Sequence, residues 1–142
     1  MELWLIYAIF SAITAALVAI FGKIGLQGMD SGAATAIRAA IMAFFLIGVA
    51  FFQGKGEQIQ NILGDKRALL WITLSGVAGA LSWLFYFLAL KYGKVSQVAP
   101  VDKLSVVIAT ALAIIFLHEK ISLTASGGIL MITIGVIMVA LG

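Results

Sequence analysis

Three charged side chains lie inside apolar runs long enough to span a lipid bilayer: Arg38, Asp102 and Lys103. A charge near the centre of a membrane helix costs about 2.5–3.5 kcal/mol on insertion scales, so such residues usually face protein or a wet cavity. Arg38 and Asp102 both lie roughly 10 Å deep from the same side, at 1.5 Å per residue. We therefore expect a polar site that lines a cavity. The alternative is an ion pair, Arg38–Asp102 or Lys103–Asp102, that only holds the helices together.

The chain's single proline, Pro100, precedes this acid–base pair. Proline lacks an N–H and its ring clashes with the carbonyl four residues back, so we expect a helix break at Pro100 and a free carbonyl at Ser96. The residues that follow form one helical stripe of polar and then small side chains: Asp102, Ser105, Ala109 and Ala113. Such a stripe suits a cavity wall and a tight helix crossing equally well.

An aromatic pair, Trp83 and Tyr86, lies beside Gly76 and Gly79 in another apolar run. Small residues beside two rings can form an aromatic-walled pocket that stacks a flat ligand or holds a cation over a ring face. Trp83 is too deep in its run for the interfacial belt where tryptophan is usually found. The alternative is core or lipid-facing packing, which suits Phe87 better than Trp83.

The residue inventory gives no support to other kinds of chemistry. His118 and Glu119 stand together, but a metal site needs three or four ligands, so we expect no metal and no cofactor. We also expect no enzyme, because no Ser/His/Asp set, paired carboxylates or glycine-rich phosphate loop occurs. The nine basic and six acidic residues are scattered, without the basic patch that nucleic acid binding requires. The absence of cysteine excludes disulfides.

Hydrophobic residues make up 63% of the 142 residues, and the mean hydropathy is +1.18. A soluble domain of this size has too much surface to hide so much apolar area, so the sequence predicts an all-α integral membrane protein. Since a spanning helix needs roughly 20 mostly apolar residues, we expect one transmembrane domain over residues 1–142. Its five predicted spans are 3–22, 33–52, 68–90, 95–117 and 121–141. The connection 53–67 has room for a short surface helix with Ile59, Ile62 and Leu63 on one face.

An odd number of spans places the two termini on opposite sides of the membrane. The loops on the N-terminal side carry four basic residues: Lys55, Lys66, Arg67 and Lys120. The loops on the other side carry three: Lys23, Lys91 and Lys94. This near balance predicts no strong orientation by the positive-inside rule. Two interpretations stay open, namely one fixed orientation with a weak signal, or dual topology, in which copies insert both ways.

The last run carries Gly128, Gly135 and Gly142 seven residues apart, which places them on one helical stripe. Small residues mark places where membrane helices approach closely. The stripe is therefore a candidate contact between subunits, although packing within one chain would also explain it.

Several local features together indicate a family. The ALKYG turn at 89–93 follows the third span, and Pro100 comes early in the fourth. The fourth span ends in Phe116, Leu117 and Glu119, and the last span carries glycines at positions 127, 128 and 135. With these features nearly the whole chain resembles an EamA-type unit of the drug/metabolite transporter superfamily. The stretch 99–105, APVDKLS, is similar to the version in short, single-unit members.

This resemblance implies a ten-helix fold built from two inverted five-helix units around a central substrate cavity. Because this chain holds one unit, it implies antiparallel pairing with a second copy or with another chain, and the balanced loop charges favour dual topology. The related small multidrug resistance proteins are typically marked by a glutamate in the first helix, but the span 3–22 has no acidic residue. If protons are coupled, Asp102 is the only deep carboxylate in the predicted spans.

The expected function is a secondary transporter, and more specifically an exporter, of small organic solutes by alternating access. We expect an antiparallel homodimer in the prokaryotic plasma membrane, whose partners are the lipid bilayer and a small-molecule solute. The residues expected to bind the solute or gate the cavity are Arg38, Trp83, Tyr86, Asp102, Lys103 and Ser105. This set contains two cationic side chains, Arg38 and Lys103, and one acidic side chain, Asp102. The net positive charge favours solutes with a carboxylate or phosphate, or zwitterions, over plain cations. The alternative is a non-transporting membrane subunit that pairs with another membrane protein.

Overall fold

The computed structural model describes residues 3–142, which are 86% helix and contain no strand. Within that range the helices are α1 (Leu3–Gly25), α2 (Ser31–Phe52), α3 (Gly56–Gly64), α4 (Lys66–Tyr92), α5 (Val95–Asp102), α6 (Leu104–Phe116) and α7 (Leu123–Leu141). Five stretches of the described residues are long and apolar enough to cross a membrane: α1, α2, α4, α5 together with α6, and α7. The predicted class, an all-α membrane protein with five spans, is confirmed.

The spanning helices expose almost all of their apolar side chains. In each span, at most 6% of the most apolar window is buried inside the chain. Apolar area on this scale is far larger than the exposed patches of soluble monomers. Exposing this area to water would be unfavourable. Exposing it to a bilayer is not, because lipid tails are as apolar as these side chains. The chain is therefore a multi-pass membrane protein.

Helix ends differ from the predicted spans by a few residues, and local hydrogen bonds explain the differences. α1 continues past residue 22 through Lys23 to Gly25, because a single charge interrupts the hydropathy of the run without interrupting the backbone ladder. α7 begins at Leu123 and not at residue 121, since Ser122 is its N-cap. The Ser122 hydroxyl accepts a hydrogen bond from the N–H of Ala125 at 3.1 Å, which satisfies a donor that the first turn leaves unpaired.

The short surface helix predicted between the second and third spans is present as α3. Its apolar side chains Ile59, Ile62 and Leu63 are exposed, as a helix at the membrane interface requires. Asp65 separates α3 from α4 and caps α4, because its carboxylate accepts hydrogen bonds from the N–H groups of Arg67 at 2.9 Å and Ala68 at 3.1 Å.

The fourth span is one apolar run in the sequence but two helices in the structure. α5 ends at Asp102 and α6 begins at Leu104, with a turn at Lys103. The N–H of Lys103 donates to the carbonyl of Pro100 at 3.0 Å, three residues back instead of four. Pro100 itself lies inside α5, because its fixed φ suits a helix. The helix break expected at Pro100 therefore falls three residues later, in the tightened turn that its carbonyl closes.

The contacts divide the chain into two compact units. The central unit, named for its position in the sequence, is Phe21–Lys91, and the flanking unit combines the described residues up to Ile20 with Tyr92–Gly142. In the flanking unit α7 packs against α5 and α6 and buries Val136, which is 5% exposed. The buried residues of the central unit are Leu26, Ser31, Thr35, Phe87 and Leu90.

A left-handed glycine and a helix cap in the central unit determine where α2 begins. Gly28 has a φ of +72°, a left-handed conformation that glycine adopts without steric cost and that turns the chain after α1. Asp30 then caps α2, since its carboxylate accepts a hydrogen bond from the N–H of Ala33 at 2.8 Å. This cap sets the start of the helix that carries Arg38.

Candidate functional site

Arg38 of α2 lies on the indole of Trp83 of α4. The guanidinium carbon is 3.6 Å from the ring centre, well within the roughly 6 Å range of cation–π attraction. The ring centre of Phe87 is 5.1 Å from the same carbon. The negative faces of the rings thus offset part of the cost of holding a cation at membrane depth.

Three aromatic side chains of α4 form a cluster that includes the ring on which Arg38 lies. They are Trp83, Tyr86 and Phe87. Their spacing along α4 places them on one face of the helix. The ring centres of Trp83 and Tyr86 are 5.7 Å apart in an edge-to-face arrangement, and those of Trp83 and Phe87 are 5.9 Å apart. Phe87 is 3% exposed, so it packs in the core, which is one of the two kinds of packing that the sequence left open.

A cavity of about 600 Å³ lies between α2 and α4, with Arg38 and Trp83 in its wall. Much of the remaining wall consists of small residues: Gly32, Ala36, Ala39, Gly76, Gly79 and Ala80. The larger apolar lining side chains are Met42, Val77, Leu81 and Leu84. The one hydroxyl in the described lining belongs to Thr35, which donates to the carbonyl of Ser31 at 2.7 Å. Among the described lining residues Arg38 alone is charged, so we call this space the Arg38 cavity.

A second cavity of about 540 Å³ lies at the end of the central unit where α1 turns into α2. Lys23, Asp30 and Lys91 contribute to its lining. The ammonium group of Lys23 donates to the main-chain carbonyl of Leu90, one of the last carbonyls of α4. Lys23 therefore connects α1 to α4 and satisfies an acceptor at a helix end, where a cation is also favoured by the helix dipole.

The other charged candidates lie in the flanking unit. Lys103 pairs with Asp102 at 3.2 Å, and the side chains of Lys103 and Asp102 are 54% and 36% exposed. This ion pair is one of the two that the sequence left open. The Arg38–Asp102 pair stays a prediction, because the two residues belong to different units. The pair stands at the interruption between α5 and α6, while Ser105 in the first turn of α6 is exposed.

The glycine stripe of α7 is exposed along its length. Among residues 3–142, no atom beyond the helix's own backbone lies within 4 Å of a Cβ built at Gly128 or Gly135. At Gly142 the nearest described atom is the carbonyl of Met138 in the same helix, at 3.4 Å. The face of α7 that contains Val136 is the one that packs within the flanking unit. A contact between subunits through the stripe stays a prediction.

Sequence reasoning identified Arg38, Trp83 and Tyr86 as candidates but did not pair Arg38 with Trp83. A signal for the pair was present, because both residues lie at similar depth from the same side. Arg38 is roughly 10 Å from the start of α2 and Trp83 roughly 14 Å from the end of α4, at 1.5 Å per residue. Lys23 was counted only as a loop charge, and its contact with Leu90 has no signature in the residue pattern.

Comparisons with known proteins agree with the resemblance in the sequence. The model of the EamA-like transporter family matches residues 2–141. A Sinorhizobium protein named "Uncharacterized transporter in cobO 3'region" is 37% identical over 137 residues, which cover 96% of each chain. The "Uncharacterized transporter YvbV" of Bacillus subtilis is 30% identical over 132 residues, which cover 93% of this chain and 43% of that protein.

A shorter match is an uncharacterized protein of Methanocaldococcus jannaschii, 34% identical over 80 residues, which cover 56% of this chain and 58% of that protein. No solved structure matches the chain. The family model covers nearly every residue, and a relative that is aligned end to end is itself named as a transporter. The chain therefore belongs to the EamA-like transporter family.

Proposed function

We propose that this protein is a secondary transporter that moves small organic solutes across the plasma membrane by alternating access. The observation that carries the proposal is the Arg38 cavity, in which a charged side chain lies between two apolar spans. An ionisable residue inside a membrane is costly and usually marks a substrate or ion pathway. The volume of about 600 Å³ is within the range of small-molecule sites.

The interruption between α5 and α6 supports the same function. Discontinuous membrane helices form the binding sites of many secondary transporters, because their unwound backbone and half-helix ends offer polar groups at membrane depth. Here the interruption falls at Lys103, next to Asp102. We propose that the Asp102–Lys103 pair and Ser105 take part in gating or in coupling, and that Tyr86 supports the aromatic wall.

We propose further that the working unit is an antiparallel homodimer. The Bacillus subtilis relative is about twice as long as this chain, so it has room for two units of this size, whereas the Sinorhizobium relative is about as long as this chain. After five spans a second unit in the same chain would insert inverted, and transporters commonly rock two such inverted repeats around a shared site. A one-unit chain can reproduce that arrangement by pairing with an inverted copy. The balance of four against three basic loop residues supports dual insertion.

Outward transport is the direction that we propose. Arg38 favours solutes with an anionic group, and an inside-negative potential drives an anion outward by about 2.3 kcal/mol per charge per 100 mV. The named relatives come from bacteria and an archaeon, which supports a prokaryotic plasma membrane as the location. An all-helical span pattern suits that membrane, because bacterial outer membranes hold β-barrels.

The test is flux of organic solutes into vesicles that contain the purified protein. We expect saturable uptake that falls at least about tenfold in Arg38→Gln, because an Arg–carboxylate hydrogen bond contributes about 1.5–3 kcal/mol. Arg67→Gln is the matched control, since Arg67 is in the first turn of α4 and does not line the cavity. Equal flux in vesicles with and without protein would exclude the transporter function.

The homodimer is tested separately with a reporter fused to the C-terminus. We expect two populations, one with the reporter on each side of the membrane. A single strict orientation would exclude the antiparallel homodimer.

A non-transporting membrane subunit is the second candidate, and the open glycine stripe of α7 is the observation that favours it. Purification separates the two functions. A homodimer that is stable by itself supports the transporter, whereas loss of the chain without a different membrane protein supports the subunit.

A further inference from the structure

We propose that the Arg38 cavity binds solutes that carry one anionic group on a flat apolar body, and that it rejects the matching ammonium compounds and zwitterions. The inference rests on the proposed function only in that the bound solute is the cargo. It narrows the substrate class from small organic solutes in general to apolar monoanions, of which aromatic carboxylates are the simplest example.

The charge of the cavity selects the anion. Arg38 is the one charged side chain among the described residues that line the space, and the ring centres of Trp83 and Phe87 lie 3.6 and 5.1 Å from its guanidinium carbon. Cation–π attraction offsets only part of the charge, because it is worth about 0.5–2 kcal/mol. An anion that enters the cavity therefore supplies the counter-charge that the wall does not contain.

The geometry of Arg38 leaves its hydrogen-bonding edge available. A guanidinium carbon 3.6 Å from an indole centre is at the distance expected for stacking on the ring face, and a planar guanidinium that stacks keeps its N–H donors in its own plane, directed away from the ring. Two neighbouring N–H donors in that plane form a fork that matches the two oxygens of a carboxylate. Trp83 thus holds Arg38 without using the donors that would bind the solute.

The rest of the wall selects an apolar body. Beside Arg38 it offers small residues and larger apolar side chains such as Met42 and Leu84. The Thr35 hydroxyl already donates a hydrogen bond to the main-chain carbonyl of Ser31 within α2. A phosphate dianion would lose more hydration than one arginine replaces, so the cavity favours a monoanion. Gly76 and Gly79 leave room for a flat group on the α4 side, since no described atom outside their own helix backbone lies within 4 Å of a Cβ built at either.

The same wall disfavours an ammonium group. No acidic side chain occurs among the described residues that line the cavity, so an ammonium would lose its water without gaining a carboxylate partner. It would also meet the like charge of Arg38. The ammonium end of a zwitterion would be desolvated in the same way while its carboxylate binds Arg38. We therefore expect a zwitterion to bind more weakly than the anion that carries the same ring.

The binding test uses Trp83 as its own reporter. The chain has three tryptophans, so Trp4→Phe together with Trp71→Phe leaves Trp83 as the source of tryptophan emission. The purified protein in detergent is titrated with phenylacetate, benzylamine and phenylalanine, which share a benzyl group. We expect phenylacetate to change the Trp83 emission saturably, and the other two to bind at least about tenfold more weakly.

Variants of Arg38 complete the test. Arg38→Gln should weaken phenylacetate at least about tenfold, Arg38→Lys should keep the preference for the anion at lower affinity, and the control Arg67→Gln should change affinity less than twofold. Benzylamine or phenylalanine binding as tightly as phenylacetate would overturn the proposal, and so would unchanged phenylacetate affinity in a folded Arg38→Gln. If Arg38→Gln does not fold, the comparison of the three probes on the parent protein decides.

Binding and transport fail independently in this design. Anion-selective binding with no flux in vesicles would leave this inference standing and exclude the transporter. Flux of amines or zwitterions at the rate of the matching anion would leave the transporter standing and exclude this inference.

Discussion

Gly22 of α1 and Phe87 of α4 are in contact because Gly22 has no side chain. A Cβ at Gly22 would lie 3.0 Å from Cζ of the Phe87 ring and 3.1 Å from Cε1. Phe87 is 3% exposed, and its ring also lies near the guanidinium of Arg38. The backbone of α1 thus forms one wall of the space that holds the Phe87 ring. The Phe87 ring in turn lies beside the guanidinium of Arg38.

A larger residue at Gly22 should therefore destabilise the protein. Gly22→Leu is expected to lower the free energy of unfolding by about 1–3 kcal/mol, the usual cost of overfilling a packed site. The matched control is Gly25→Leu, because no described atom beyond its chain neighbours and its own helix backbone lies within 4 Å of a Cβ built at Gly25. Thermal denaturation in detergent measures both variants. Equal midpoints for the two would show that the contact with Phe87 does not restrict the site.

Trp83 should contribute to stability and to transport through Arg38. Trp83→Leu removes the ring that faces the guanidinium and is expected to cost at least about 1 kcal/mol, with Trp83→Phe in between. Solute flux should fall in the same order, since Arg38 loses the surface that holds it. Trp71→Leu is the control, because Trp71 is 64% exposed in the same helix. A flux in Trp83→Leu as high as in Trp71→Leu would contradict a role for the ring.

Asp102 is expected to matter for coupling more than for stability. Its ion pair with Lys103 joins two adjacent residues where α5 ends, so the pair does not tie these helices to any other helix. Asp102→Asn should therefore leave the thermal midpoint nearly unchanged and lower the solute flux, because Asp102 is the only carboxylate within the five predicted spans. Glu119→Gln, in the turn between α6 and α7, serves as the control. A flux in Asp102→Asn equal to that in Glu119→Gln would remove Asp102 from the mechanism.

His118 holds an unfavourable backbone conformation after α6. Its φ is 55°, in the left-handed region where a side chain costs about 1–2 kcal/mol. His118→Gly removes that cost but loses more entropy on folding, so we expect a net gain of up to about 1 kcal/mol with flux unchanged. His118→Ala keeps a Cβ and should gain nothing. If the two variants have the same stability, the backbone at His118 is not strained.

The fold could be predicted from the sequence far better than the site. Apolar runs of spanning length identified the five spans, and the apolar positions of 53–67 indicated α3. The start of α7 differed from the prediction because Ser122 caps it at a position that hydropathy does not mark. The break in the fourth span was expected at Pro100 and found at Lys103, since proline stays helical and the tightened hydrogen bond forms in the following turn.

By itself, the sequence determined the class of the protein, the number of its spans and the expected depth of each charge within its span. These properties follow from hydropathy and from a constant rise per residue, which are local and one-dimensional. Only the tertiary structure decided that Arg38 lies on Trp83 and that a cavity opens beside them. Depth does not specify how far each helix is rotated about its own axis. That rotation depends on how α2 and α4 are placed relative to each other, and it determines which side chains meet.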